Sequence, residues 1–225
     1  MRKGKRLSLE ELAPYLLPDS PRRDPTAIPD LIRWAELFGN HNPVEIEVGC
    51  GKGLFLITAA TACPNVNFLG IEIVRKYQLF TATRVAIRKL ANVRVACADA
   101  AILLRERVPH KSVHAIHVYY PDPWWKKRHH KRRLFTAKFV EICTNCLTPG
   151  GQLHIATDVE EYFETIQSLC RNQTGLHELP SPAIHEARHD LDYLTNFERK
   201  ARKQGHPVFR TLYVKKPTNS NSEAK

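Results

Sequence analysis

From Val44 onward, apolar positions along this chain switch regularly between two periods. Short apolar runs bounded by turn residues predict strands at Val44 to Val48, Asn67 to Ile73, Val93 to Ala98, His114 to Tyr120 and Gln152 to Thr157. The segments between them repeat at helical spacing, predicting helices at Leu54 to Ala62, Lys76 to Leu90, Ala100 to Arg107, Arg132 to Leu147 and Glu160 to Arg171. Strict β-α alternation predicts an α/β protein whose parallel sheet is covered on both faces. Downstream, Leu191 to Lys203 reads as a helix and Val208 to Val214 as a last strand. Upstream, Asp30 is expected to cap a helix that ends at Phe38, before the turn signal Gly39-Asn40. Residues 1–30 carry a basic arm, a short amphipathic segment near Leu9 to Leu17 and a linker with Pro18, Pro21, Pro25 and Pro29. They are expected to form an extension outside the core domain of 31–216, with a polar, disordered tail at 217–225.

Composition narrows the function. The chain has 225 residues, 43% hydrophobic and 25% charged, the balance of an ordinary globular domain. Its 34 Lys and Arg against 23 Asp and Glu give a formal net charge of +11, which favours nucleic acid or another polyanion as partner. The six cysteines are too sparse for a disulfide scaffold and suit a reducing compartment. Cys143 and Cys146 form a lone C-x-x-C inside a helical pattern, without a second ligand pair, and read as small buried residues rather than a zinc or redox site. No apolar run approaches the ~20 residues of a membrane helix. The basic start resembles a signal peptide only until Glu10, Glu11 and Pro14 interrupt it, so the expected location is cytoplasmic.

Candidate chemistry collects at the ends of the expected strands. The first runs into Gly49-Cys-Gly-Lys-Gly53, a glycine turn that lets a ligand approach the backbone, and Glu47 just before it would repel a pyrophosphate but welcome a cation. The second ends in Glu72, placed for ribose hydroxyls, and the third in Asp99, an acceptor for an adenine amine or an N-cap of the following helix. The fourth stops at Pro121-Asp-Pro-Trp-Trp-Lys-Lys-Arg-His-His-Lys-Arg-Arg133, which sets a carboxylate, two indoles and a cationic block at one strand end. His129 and His130 lack metal-ligand spacing, so phosphate contact is expected of them, and no metal.

Glu72, Asp99 and the glycine turn resemble the cofactor site of class I S-adenosylmethionine-dependent methyltransferases. The stretch from Pro121 to Arg133, with Thr157-Asp158 and Thr195-Asn-Phe-Glu198, closely resembles the signature of the bacterial single-chain tRNA (guanine-N7)-methyltransferases. The resemblance implies a Rossmann-like fold with a mostly parallel seven-stranded sheet, and methyl transfer from S-adenosylmethionine to N7 of a tRNA guanine, the one in the variable loop. It implies cofactor contacts from Glu47, Gly49, Gly51, Gly53, Glu72, Asp99 and Asp122, with Asp122 also the catalytic candidate. Substrate contacts would come from Lys126, Asp158, Thr195, Asn196, Phe197 and Glu198, and phosphate contacts from Lys127, Arg128, His129, His130, Lys131, Arg132 and Arg133. Trp125 departs from the pattern and affects the local shape of the guanine pocket. Two other classes fit parts of the pattern. An amine methyltransferase would use a similar Asp-Pro-Pro-aromatic loop, and a non-catalytic RNA-binding protein would keep only the fold and the basic face.

Overall fold

The computed structural model describes residues 7–18, 30–181 and 195–217. The basic arm at 1–6, the prolines Pro21, Pro25 and Pro29, the start of the stretch expected from Leu191 and the tail from 218 onward lie outside the described residues.

Strands β1 (Val44–Val48), β2 (Asn67–Glu72), β3 (Val93–Cys97), β4 (Val113–Tyr119), β5 (Leu147–Thr157), β6 (Leu176–Leu179) and β7 (Phe209–Lys215) form one seven-stranded sheet of order β3-β2-β1-β4-β5-β7-β6. The first five run parallel, and β7 is antiparallel to both β5 and β6. Every residue of β2 is buried, as expected for a parallel strand covered on both faces. The chain enters at β1, winds outward to β3 and then restarts at β4 on the other side of β1. At such a reversal the loops leaving the two strands diverge, which opens a crevice at their carboxyl ends.

Two apolar layers fill the space around the sheet. On one face α3 (Leu54–Ala62) and α4 (Arg75–Ile87) set Leu56, Ile57, Ala82 and Val85 against Phe68, Val93 and Val95. On the other, α5 (Ala100–Glu106), α6 (Ala137–Cys146) and α7 (Glu160–Arg171) set Leu104, Phe139, Cys143, Tyr162 and Ile166 against Ile46, Ile116, Leu153 and Ile155. Truncating a fully buried member such as Leu153 to alanine costs ~2–5 kcal/mol. Cys143 and Cys146 are buried in α6, where burial pushes the Cys146 thiol up to about 12.

Residues 7–18, expected outside the core domain, lie against the sheet and give Leu12 and Leu17 to its apolar layers. Helix α1 (Leu9–Leu12) opens with a capping box between Ser8 and Glu11, Leu12 is buried, and Leu17 N–H donates to Val95 O at 3.1 Å. The outer edge of β3 is thereby covered, which removes an open ladder.

Three local expectations are corrected. Helix α2 (Trp34–Phe38) starts at Trp34 after Arg33, not at a cap on Asp30, because Ile32 N–H bonds to Arg107 O at 2.8 Å and holds the preceding backbone against α5. The helix expected from Arg132 begins at Ala137, where Thr136 accepts from Phe139 N–H; residues Lys127–Arg132 form a separate 3-10 turn. Strand β6 falls where no run predicts one, since only its first residue, Leu176, is buried.

Candidate functional site

The crevice between β1 and β4 begins with the glycine turn. Gly49, Gly51 and Gly53 all hold positive φ, at 74°, 52° and 68°, which other residues adopt only with strain. Gly53 also meets its neighbours closely: a Cβ there would lie 2.4 Å from Thr81 Cγ2. Thr81 Oγ1 donates to Gly51 O at 2.8 Å, and the Arg84 guanidinium donates to Lys52 O. From the next strand end, Glu72 accepts from Gly51 N–H at 2.9 Å with one oxygen and from Val74 N–H at 2.8 Å with the other. Glu72 therefore fixes the turn before any ligand arrives, and the remaining lone pairs of its carboxylate stay available for hydroxyls.

Glu47 is 3% exposed, and its Oε2 has no hydrogen-bond partner. Burial, with a further push from Glu72, holds its carboxyl well above the usual carboxylate range, against a lowering hydrogen bond from the Leu56 backbone. It lines a cleft of about 280 Å³ with Gly49, Gly51, Tyr119, Asn196 and Phe197. A cation entering that cleft would meet an orphaned carboxyl oxygen, ionise it and recover the desolvation it now suffers. Asp99 lies in a separate depression, two strands away at the end of β3, with Leu17, Pro18 and Ile102. It caps α5 by accepting from Ile102 N–H at 3.1 Å through Oδ1, which leaves Oδ2 for a ligand amine. A cleft with an unpartnered acid, a glycine backbone that admits close approach and two further carboxylates at adjoining strand ends fits a cationic, phosphate-free nucleoside such as S-adenosylmethionine.

Past β4 the chain turns sharply. Tyr120 and Trp124 hold positive φ of 54° and 44°, and Asp122 is exposed between them at the same sheet edge as Glu47. Tyr120 stacks on Phe197 of α8 (Asn196–Lys203) with ring centroids 6.3 Å apart. Burial raises the Tyr120 phenol, with Glu198 adding to the effect. Trp124 is held between cations and rings: Arg132 sits 5.0 Å over it and His129 meets it edge-on at 6.0 Å. Trp125 is 70% exposed.

Lys126, Lys127, Arg128, Lys131 and Arg132 are exposed in a row along the chain through the 3-10 turn, with His129 and His130 half-buried between them. Arg133 does not join this row. It is buried, donates to Pro123 O at 2.7 Å, reaches Glu161 at 3.2 Å and lies 4.7 Å over the Tyr162 ring. Its guanidinium is thus consumed in holding the Asp122 loop, and a phosphate cannot reach it without breaking those contacts.

The last two signature pieces also behave differently. Asp158 does not cap α7, whose N-cap is Val159 and which carries no side-chain cap bond; Thr157 Oγ1, just before it, accepts from Val159 N–H at 3.3 Å. Thr195 caps α8 by accepting from Glu198 N–H, while Asn196 and Phe197 face the cleft. Glu198 is 1% exposed and bonds Arg210 at 2.6 Å and Arg202 at 3.3 Å, so it ties α8 to β7 rather than presenting a free carboxylate. Sequence reasoning missed Tyr119 and Lys200, which also line the cleft. For Tyr119 the signal was present: strand parity puts it on the same face as His117, which is in register with Glu47.

Among the described residues no helix is long and apolar enough to cross a membrane, and no group of three or more His, Cys, Asp or Glu could hold a metal ion.

Known proteins place this geometry. A family model described as "Putative methyltransferase" matches residues 41–211. The tRNA (guanine-N(7)-)-methyltransferase of Rhodopirellula baltica is 42% identical over 94% of this chain and 80% of its own length. That of Vibrio cholerae is 36% identical over 82% of this chain and 78% of its own. Among solved structures, the 16S rRNA methyltransferase KamB superposes with a TM-score of 0.60 at 14% identity, over 82% of this chain and 93% of that one. A SAM-dependent methyltransferase from Aquifex aeolicus gives 0.54 at 13% identity, over 80% and 86%, and both likenesses speak for the fold alone. With identity of 36 to 42% to such relatives over most of its length, the chain belongs to the tRNA (guanine-N(7)-)-methyltransferase family.

Proposed function

We propose that the chain transfers a methyl group from S-adenosylmethionine to N7 of a guanine in tRNA, and that the guanine is the one in the variable loop. The observation that carries this reading is the buried, unpartnered Glu47 oxygen in a cleft shared by the glycine turn and Asn196-Phe197, beside a loop that presents Asp122 and the cationic row.

When bound, the cofactor supplies a methyl group on a positively charged sulfur. Glu47, the glycine backbone, Glu72 and Asp99 would hold it, and Glu72 and Thr81 keep the turn in shape beforehand. Guanine N7 carries an in-plane lone pair, so the protein need not remove a proton; it must align the base with the methyl group. Positive charge reaches the purine during transfer, and the Asp122 carboxylate, fixed by the strained turn and by Arg133 on Pro123 O, would favour that charge. A folded tRNA keeps its bases stacked, and exposed Trp125, or Trp124 beneath Arg132, would replace the stacking lost as the target base leaves. Lys126, Asp158 and α8 through Thr195 and Glu198 would shape the base pocket, while Lys127, Arg128, Lys131 and Arg132, with His129 and His130, would hold phosphates.

Incubation with unmodified tRNA and labelled S-adenosylmethionine, followed by nucleoside analysis, should yield 7-methylguanosine. Replacing the variable-loop guanine should abolish the label. Labelled 1-methylguanosine or N6-methyladenosine would refute the assignment. Asp122→Ala should lower turnover far more than tRNA affinity, and Arg132→Ala the reverse.

A further inference from the structure

A chain of polar groups runs under the cleft and is used by none of the roles above. Glu45, one pleat below Glu47 on the same face of β1, accepts from His117 Nε2 at 2.8 Å. His117 Nδ1 lies 2.9 Å from the Tyr119 hydroxyl, and Tyr119 lines the cleft beside Glu47. The imidazole is 5% exposed, stacked on His154 at 4.7 Å and packed on Phe55 at 4.5 Å, so its plane is fixed.

The chemistry of the three groups sets the direction of each hydrogen bond. Burial raises the Glu45 carboxyl, but the His117 hydrogen bond and the neighbouring histidines more than offset this and leave it below the usual value. An ionised carboxylate only accepts, so Nε2 carries the imidazole proton. In the neutral ring Nδ1 is then a bare acceptor, and the Tyr119 hydroxyl must donate to it. Burial and the nearby Glu47 raise the Tyr119 phenol, so it keeps its proton. With that proton turned toward His117, the oxygen keeps lone pairs for a further partner.

We propose that Glu45 and His117 are positioning residues that orient the Tyr119 hydroxyl, and that the Tyr119 oxygen, as an acceptor at the end of β4, binds the sulfonium side of the cofactor. This rests on the S-adenosylmethionine reading above. The role is one of polarity: a tyrosine without the His117 acceptor is free to turn its proton into the cleft and repel the same cation.

Calorimetric titration at about pH 8 tests this with two probes, S-adenosylmethionine and S-adenosylhomocysteine, which differ by the methyl group and by the charge on sulfur. Tyr119→Phe should weaken the charged probe about tenfold and the neutral one less than about twofold, the size of a hydrogen bond to a charged group. His117→Phe keeps the ring packing and leaves the phenol in place, and should lose the same discrimination. The double variant should be no worse than Tyr119→Phe, because the two act through one oxygen. Equal losses for both probes, or additive losses in the double variant, would overturn the inference while leaving the function intact. Failure of the unaltered protein to bind either probe would instead overturn the function and the inference together.

Discussion

Replacing Gly53 by alanine separates two costs that the glycine turn avoids. The first is backbone strain, since φ is +68° and a left-handed non-glycine residue costs ~1–2 kcal/mol. The second is steric, because the new Cβ would stand 2.4 Å from Thr81 Cγ2, 3.0 Å from its Oγ1 and 3.2 Å from its Cβ. Thr81 has no room to retreat: it is fully buried, and its hydroxyl is bonded to Gly51 O. Overpacking of this kind costs ~1–3 kcal/mol, so Gly53→Ala should destabilise the fold by about 2–5 kcal/mol in urea unfolding. Thr81→Ser removes the methyl at 2.4 Å and keeps the hydroxyl; alone it should cost ~1 kcal/mol for the lost methyl. Combined with Gly53→Ala it should relieve most of the steric share and leave the strain. The double variant should therefore be more stable than the sum of the singles by about 1–2 kcal/mol. Strictly additive losses would refute the steric part of this reasoning, and an unchanged Gly53→Ala would refute both parts.

Two further outcomes concern charge and anchoring. The folded Glu47 carboxyl titrates well above its ordinary 4.5, so its contribution to stability is complete below that value and is lost as pH rises toward the folded one. The stability of the ligand-free protein relative to Glu47→Gln should therefore fall as pH rises from about 4.5, and parallel stability curves for the two proteins would contradict the assignment. Arg133→Ala should cost ~2 kcal/mol or more, since it removes a charged donor from Pro123 O and a cation from the Tyr162 ring; its unfolding midpoint should drop, whereas Lys127→Ala, at an exposed site, should stay within ~0.5 kcal/mol of the parent.

The arrangement of the basic block also explains its composition. Arg132 and Arg133 are adjacent, yet one covers Trp124 from outside and the other holds the loop from beneath. An arginine suits both tasks, because its flat guanidinium stacks on rings and donates in several directions at once. The glycine turn follows the same division: Gly49 and Gly51 open space toward the cleft, while Gly53 is required by the packing of Thr81 behind it.

What the sequence by itself determined is the run of elements whose signal is local. Strand β1 and helices α3 and α7 begin and end where the apolar pattern places them, because their signals act over a few positions, as the Pro43 and Gly49 that bound β1 and the Gly53 that precedes α3 show. The acids at the strand ends were legible for the same reason, since a parallel strand that stops abruptly delivers its next residues to one edge. Strand β6 was not legible, because one buried leucine in an edge strand leaves no pattern and the strand exists by pairing with β7. The start of α2 was set by the bond from Ile32 to Arg107, a partner 75 residues away along the chain, which no local pattern announces. Tertiary structure also decided which charges are free. Arg133 and Glu198 look like their exposed neighbours in sequence, but the sheet edge folds them inward against Pro123, Arg202 and Arg210. Burial and partnership are properties of the packed chain, and they, rather than residue type, separate the groups that hold the site from those that face a ligand.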